Sequence, residues 1–146
     1  MTDNEAADLF LELADLLDLA GDLPFKASSY RKVAAGLRDL DTPFAQLVSN
    51  GRFDKIPGVG KAIREKLKTL AETGKLPALE KWRKHEIGIF YPWMITLKLK
   101  PRSFGLLIRK LEVADFKELL AKLKRQDISK LAGQAKEAAN IIIKSN

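Results

Sequence analysis

The segment from Lys55 to Leu67 constrains the fold of this chain most strongly. It reads Lys-Ile-Pro-Gly-Val-Gly-Lys-Ala-Ile-Arg-Glu-Lys-Leu, in which Pro57 presets a turn and Gly58 and Gly60 can adopt positive φ. A basic helical pattern follows at once, so the free N–H groups and the positive dipole end of that helix would point into the turn. The pattern therefore predicts a tight hairpin that holds an anionic oxygen, with Lys61 adding a charge. An ordinary Pro-Gly turn between two helices is the alternative.

Composition narrows the classes of protein that this chain can be. The 146 residues are 46% hydrophobic, enough to bury one core or two small ones in tandem. The absence of cysteine excludes disulfides, thiolate zinc sites and a cysteine nucleophile. The single histidine, His85, argues against a histidine-rich metallohydrolase site and a serine-histidine triad. The acidic N-terminus does not fit a secretory signal, and no apolar run approaches the roughly 18 residues of a membrane span. We expect a soluble cytoplasmic protein.

Charge is distributed unevenly along the chain. Residues 1–50 carry four Lys or Arg against nine Asp or Glu, whereas residues 51–146 carry 22 against 10. The basic surface therefore begins at the predicted hairpin. Such a field favours a polyanionic partner, either nucleic acid or an anionic membrane face. A solvated basic surface that only maintains solubility is the alternative.

Apolar residues recur at helical spacing throughout, and strand signals are almost absent, so the chain is predicted to be all-α. Helices are expected at residues 4–20, from 24 through 37, 44–48, 63–73, from 77 through 82, near 102–111, 114–124 and 134–144. Asp3 or Asn4 is the expected N-cap of the first, and Gly21 ends it. The apolar run 87–95 is expected to be a buried junction. We predict two units, residues 1–84 and 85–146, without a flexible linker.

Four ordered motifs carry a resemblance to a known family. They are Ala14–Gly21, Pro24–Ala34, Ile56–Lys61 and Glu72–Leu76. Together they resemble the N-terminal helix-hairpin-helix domain of the family X DNA polymerases, the polymerase beta type, over a little more than half of the chain. The family's polymerase part, with its paired catalytic aspartates and glycine-serine phosphate loop, has no counterpart in these residues. We therefore expect no nucleotide transfer by this chain alone.

The resemblance implies how DNA would be held. Amides near Gly58, Gly60 and Lys61 would face a phosphate, and the carbonyls of Asp54, Ile56 and Val59 would hold a sodium or potassium ion. The predicted DNA-binding residues are Lys55, Gly58, Val59, Gly60, Lys61 and Arg64, with Lys98 and Lys100 from the second half. Phosphate contacts fix position without reading sequence, so binding should tolerate any sequence and weaken strongly with salt.

Some family members also remove the 5′-deoxyribose phosphate left during base excision repair, through a lysine that forms a Schiff base. By resemblance, Lys66 occupies the place of that lysine, and Tyr30, Lys26 and Glu65 occupy neighbouring catalytic positions. An amine attacks only when neutral, and nearby cations such as Lys61 and Arg64 would lower the pKa of such a lysine. The alternative is that Lys66 is one more solvated lysine on a basic helix.

Departures from the family pattern limit what carries over. Ala62 stands where the family usually has a basic residue. A second hairpin is expected before residue 101, but Lys98 and Lys100 stand at its glycine positions, so we predict that it is eroded. Ala132–Lys136 is a further degenerate hairpin candidate with one glycine.

Three functions follow from these observations. The first is a DNA-binding helix-hairpin-helix protein of repair or replication, acting on gapped, nicked or duplex DNA. The second is a stand-alone deoxyribose-phosphate or abasic-site lyase that uses Lys66. The third is an adaptor that docks on a repair or replication protein, which exposure of the aromatic run Phe90–Trp93 would favour.

Overall fold

The computed structural model describes residues 1–125 and 128–145, and these residues form α-helices and short turns with no strand among them. The all-α prediction is confirmed. The helices are α1 Asp3–Ala20, α2 Pro24–Arg38, α3 Phe44–Ser49, α4 Lys61–Thr73, α5 Pro77–Lys84, α6 Tyr91–Thr96, α7 Pro101–Leu111, α8 Phe116–Arg125 and α9 Gly133–Lys144. Three short 3-10 helices lie at Phe53–Lys55, Glu86–Phe90 and Ile128–Lys130. In the described ranges, no helix combines the length and the apolarity that crossing a bilayer requires.

The beginning of α1 corrects the predicted N-cap. Thr2, not Asp3 or Asn4, caps the helix: the N–H of Glu5 donates to Thr2 Oγ1 and the N–H of Thr2 donates to Glu5 Oε2, both at 3.1 Å. This reciprocal pair is a capping box. The Asp3 carboxylate is thereby left for another helix, and it accepts the N–H of Phe44 at 2.9 Å at the start of α3.

Contacts divide the chain into two compact units. The first comprises Met1–Ala14 and Pro24–Lys81, and the second comprises Asp15–Leu23 and Trp82–Asn146. Helix α1 contributes to both units. The domain boundary expected between residues 84 and 85 stays a prediction.

The first unit is built around buried side chains of α1 to α4. Phe10 is fully buried and stacks on Tyr30 of α2 with ring centroids 5.9 Å apart. Helix α3 packs against α4. The core of the first unit includes Ala6, Phe10, Leu13, Ala27, Val33, Leu37, Phe44, Phe53, Ile56, Ile63, Leu67 and Leu70.

The second unit is organised by α7, which packs against α9 and α8. Phe104 of α7 meets Phe90 edge to face at 5.9 Å and Phe116 at 6.5 Å. Its core further includes Leu16, Leu19, Met94, Leu107, Ile108, Leu119, Ala138, Ala139 and Ile142.

The end of α1 is held within the second unit by close contact with α7. Gly21 adopts φ +80°, and the N–H groups of Gly21 and Asp22 donate to the carbonyls of Asp18 and Leu17, which is a Schellman ending. The guanidinium of Arg109 donates to the carbonyl of Leu19 at 2.9 Å. Partial burial, followed by the nearby charge of Arg102, lowers the pKa of Arg109.

The run expected to be a buried junction is buried on one face only. Ile87, Phe90 and Met94 are buried, whereas Ile89, Trp93 and Ile95 are exposed by 50%, 44% and 53%. The reason is that the run is helical, a 3-10 helix continued by α6, so spacings of three and four residues separate its buried side chains. The indole of Trp93 stacks on Phe116 with centroids 4.2 Å apart and an interplanar angle of 11°.

Close approach of α7 to α1 predicts a stability effect at Gly105. A Cβ at this position would lie 2.0 Å from the carbonyl oxygen of Leu19, so Gly105→Ala should lower the free energy of unfolding by roughly 2 kcal/mol, as overpacking does. Helix propensity alone would favour alanine by about 1 kcal/mol, the opposite sign. Urea denaturation measures the change. Gly60→Ala is the control, since no atom lies within 4 Å of its Cβ position; stabilisation by Gly105→Ala would contradict the packing.

Candidate nucleic-acid interface

The hairpin between α3 and α4 has the backbone of a tight turn that opens into a helix. After the 3-10 helix Phe53–Lys55, Ile56 is extended, Gly58 adopts φ +78°, and Gly60 is the extended N-cap of α4 at φ −93° and ψ −173°. Gly58 therefore uses the positive φ that the sequence suggested, but Gly60 does not. The space beside Gly60 is open, with no atom within 4 Å of a Cβ built there. The backbone of Gly60 is one that any residue can adopt, so glycine is not needed there for its conformation. Its effect is that no side chain covers the surface of the turn at this position.

Backbone donors at the start of α4 have no partner among the residues that the structure describes. The first hydrogen bond of the helix runs from the N–H of Arg64 to the carbonyl of Gly60 at 2.9 Å, and no side chain caps the helix. Among the described residues, no backbone hydrogen bond is donated by the N–H groups of residues 58–63. These donors and the positive end of the α4 dipole form a site suited to an anion.

The carbonyls predicted to hold a monovalent cation are also unpaired. In the part of the chain that the structure describes, no backbone hydrogen bond is accepted by the carbonyls of Asp54, Ile56 or Val59. Carbonyl oxygens are ligands of the kind that a hard cation takes, and these three are not used by the hydrogen bonds of the backbone. The described residues contain no group of three or more His, Cys, Asp or Glu that could hold a metal ion.

Helix α2 supports the hairpin. Gly36 is buried beneath Pro57, and a Cβ on Gly36 would lie 2.8 Å from Pro57 Cδ. One turn earlier on α2, the Lys32 side chain lies beside Gly58: a Cβ on Gly58 would lie 3.2 Å from both Cγ and Cδ of Lys32. Sequence reasoning missed Lys32. Its spacing of four residues from Gly36 places both on one helix face, but nothing local in the sequence pairs that face with the hairpin.

The cations predicted to bind DNA differ in their surroundings. Lys55 and Lys61 are exposed at the two ends of the hairpin. The guanidinium of Arg64 instead lies over the ring of Phe53, 4.8 Å from its centroid, and the ammonium of Lys68 lies 5.9 Å from the same ring. Arg64 is therefore held against the protein, and Lys55 and Lys61 project into solvent.

The structure brings two of the predicted catalytic residues together. Lys66 of α4 is half-buried, and its ammonium lies 5.8 Å from the centroid of the half-buried Tyr30 ring. Lys26 is exposed one turn before Tyr30 on α2. Glu65 is exposed and forms an ion pair with Lys68, at 3.6 Å between Oε1 and Nζ.

Lys66 also lines an open groove on the surface of the first unit. The groove has a volume of about 340 Å³. Its lining residues are Ala62, Glu65, Lys66, Thr69, Pro77 and Ala78. A small ligand in this groove would contact the Lys66 side chain.

The turn between α6 and α7 repeats the backbone of the first hairpin with different residues. Lys98 has a positive φ, +54°, at the position that corresponds to Gly58. Lys100, at φ −70° and ψ 128°, is an extended N-cap at the position that corresponds to Gly60. Helix α7 then begins at Pro101, which has no N–H where Lys61 has one. The Lys100 ammonium forms an ion pair with Glu137 at 3.4 Å. The second turn thus offers fewer amides, and its side chains cover the space that glycines would leave.

The third hairpin candidate precedes α9. Ala132 is the extended N-cap of this helix, at φ −133° and ψ 160°, and Gly133 follows with φ +57°. No side chain caps α9. This turn therefore has a single glycine, which has a positive φ, directly at the start of α9.

The positive φ of Lys98 predicts that glycine is the more stable residue there. The left-handed region costs a residue with a Cβ about 1–2 kcal/mol, more than the entropic cost of glycine, so Lys98→Gly should raise the free energy of unfolding by about 0.5–1 kcal/mol. Lys100→Gly is the matched control and should lower it, because Lys100 has an ordinary φ. Chemical denaturation measures both. Equal destabilisation by the two variants would contradict the left-handed conformation of Lys98.

Comparison with known proteins gives two matches. Residues 1–76 match a family model described as "Helix-hairpin-helix domain". The "DNA polymerase/3'-5' exonuclease PolX" of Bacillus subtilis (strain 168) is 27% identical to this chain over 133 residues, which are 91% of this chain and 23% of the relative. The chain therefore spans about a quarter of the length of that relative.

Proposed function

The chain belongs to the helix-hairpin-helix domain family, and on that premise we propose that it binds DNA without sequence preference, in the cytoplasm, in DNA repair or replication. The family match and the polymerase relative confirm the resemblance that the four motifs indicated. The name of that relative supports DNA as the ligand. Gapped, nicked or duplex DNA would be bound through its backbone.

The observation that carries this proposal is the set of free amides at residues 58–63. A phosphate placed there would accept main-chain hydrogen bonds at the positive end of α4, and the exposed ammonium of Lys61 would add an ionic contact. Backbone amides contact phosphate equally in every sequence, so the interface is suited to position DNA rather than to read it. The net charge of +7 would assist association by attracting the polyanion.

A monovalent cation completes the proposed interface. The unpaired carbonyls of Asp54, Ile56 and Val59 would hold a sodium or potassium ion, which would supply positive charge beside the phosphate. The contribution of the chain is to keep these oxygens free of internal hydrogen bonds. Pro57, which has no N–H, lies among them and cannot donate to the turn.

Gly60→Val separates binding from folding. Valine fits the extended backbone of Gly60, and no atom outside the adjacent residues lies within 4 Å of the Cβ position. Because valine is a poorer N-cap than glycine, the free energy of unfolding should fall, but by no more than about 1 kcal/mol. The isopropyl group would nevertheless cover the free amides. DNA affinity, measured by fluorescence anisotropy, should fall ten-fold or more, which corresponds to about 1.4 kcal/mol.

Two further results bear on the same proposal. Wild-type affinity should fall steeply with salt and vary little with DNA sequence, because neutralised phosphates release counterions. Gly58→Val should lower both affinity and stability, since Gly58 has φ +78°. A folded Gly60→Val variant that binds as tightly as wild type would place the binding surface elsewhere.

We propose the abasic-site lyase as a second candidate function, favoured by the position of Lys66 over Tyr30 beside an open groove. In this reaction Nζ adds to the C1′ aldehyde of the opened sugar and water leaves, which gives an imine. A base, water or an exposed carboxylate, then takes the C2′ proton, the C3′–O bond breaks, and the DNA leaves with its terminal phosphate. Water hydrolyses the unsaturated sugar imine and returns the free Lys66 amine. The attacking group must be the neutral amine, and the half-buried Lys66 side chain places its Nζ 5.8 Å from the centroid of the Tyr30 ring.

Borohydride trapping tests the lyase directly. Wild-type protein with incised abasic DNA should give a covalent adduct, and Lys66→Ala should abolish the adduct with DNA affinity changed by no more than a few-fold. Lys66→Arg should also be inactive, because a guanidinium stays protonated. Lys68→Ala is the control, an exposed lysine on the same helix. If wild type gives no adduct, or if Lys66→Ala gives as much as wild type, Lys66 is not a nucleophile.

The adaptor function has partial support: within the aromatic run whose exposure would favour it, Trp93 is exposed but Phe90 is buried. The neighbouring Ile89 and Ile95 are also exposed. The outer face of Trp93 is open while Phe116 supports its inner face. DNA binding remains the function that we propose, because the hairpin offers backbone donors suited to an anion. The exposed apolar side chains of Ile89, Trp93 and Ile95 specify no particular partner.

A further inference from the structure

Lys32 of α2 occupies a position that neither the sequence motifs nor the family match assigns to function. Its Cγ and Cδ lie 3.2 Å, and its Cε 3.6 Å, from the place where a Cβ of Gly58 would be. The aliphatic part of the side chain therefore runs along the first hairpin, in the space that glycine leaves. The ammonium is one bond beyond Cε, and the residue is exposed.

The position of this side chain is set by the packing of α2 against the hairpin. Gly36 follows Lys32 by four residues, on the same helix face, and is buried beneath Pro57. Contacts at two successive turns of α2 thus fix Lys32 relative to Pro57 and Gly58. A lysine on a free surface would have no such constraint, because its long side chain has many rotamers.

The Lys32 ammonium has no acidic partner in the part of the chain that the structure describes. Among the ion pairs and hydrogen bonds that the structure describes, none includes its Nζ. Asp54, an acidic residue of the same hairpin, is paired with Arg52, at 3.4 Å between Oδ1 and Nε. The charge of Lys32 is therefore available to an external anion.

We infer that Lys32 is a phosphate-binding residue that α2 adds to the hairpin, a proposal that rests on DNA binding at this hairpin. Its ammonium contacts a backbone phosphate beside the one held by the α4 amides. The hairpin interface is then formed from two helices: α4 supplies main-chain donors, and α2 supplies a side-chain cation held along Gly58. Gly58 has two functions in this arrangement, since it permits positive φ and leaves room for the lysine.

Lys32→Met tests the charge alone, because methionine keeps an unbranched side chain along Gly58 and removes the ammonium. We expect DNA affinity to fall roughly five-fold at about 0.1 M salt, with the slope of log K against log salt reduced by about one. Lys75→Met is the matched control, an exposed lysine of the first unit outside the hairpin, and should leave affinity and slope unchanged. Lys32→Arg should retain both, and thermal denaturation should show all three variants folded.

The outcomes separate this inference from the proposed function. If wild type binds DNA and Lys32→Met binds with the same affinity and slope, Lys32 is not a phosphate contact, and the hairpin proposal stands. If Lys32→Met lowers affinity without changing the slope, Lys32 supports the hairpin structurally, which also overturns the inference. If wild type does not bind DNA, both fail.

Discussion

Contact between Pro57 and Gly36 is the packing interaction on which the hairpin depends. A Cβ on Gly36 would come within 2.8 Å of Pro57 Cδ, so only glycine lets α2 approach the turn this closely. Because Pro57 is seated there, the start of α4 and the exposed face of α2 have one fixed arrangement. That arrangement places Lys32 along Gly58 and Lys66 over Tyr30. Helix α2 therefore contributes Lys32 to the proposed phosphate site and Tyr30 to the surroundings of the proposed catalytic amine of Lys66.

The two turns that precede α4 and α7 show how one backbone supports different chemistry. Both place a residue at positive φ, then an extended N-cap, and then a helix. In the first turn, glycines and a non-proline first residue leave amides accessible. In the second, Lys98 and Lys100 add side chains, and Pro101 removes a donor. The first turn is suited to main-chain contact with phosphate, and the second can contribute only through its lysine side chains.

Carboxylates near the start of the chain bind groups of the protein itself. Asp3 caps α3, Asp8 pairs with Arg38, and the buried Asp18 pairs with Arg102 at 2.8 Å. These carboxylates bind groups within their own units. Around the hairpin, the exposed ammonium groups of Lys55 and Lys61 take part in no described ion pair. The hairpin therefore carries lysine charges without a described acidic partner, at the surface that faces DNA in the proposed function.

The sequence by itself determined the helices and the place of the hairpin, because these depend on local backbone preferences. Proline opens α2, α5 and α7, and Gly21 and Gly74 end α1 and α4, each within about a residue of the predicted bound. Tertiary structure decided what surrounds the hairpin: that Gly60 is extended, that Lys32 reaches Gly58, and that Trp93 is exposed. A helix periodicity shows which residues share a face, but which face meets which partner depends on packing between elements distant in sequence. The candidate site was therefore predictable at the hairpin and on α4, where its residues are close in sequence, and the resemblance added Lys26 and Tyr30 of α2. Lys32 was not predictable, because its place beside Gly58 exists only after α2 packs on the hairpin.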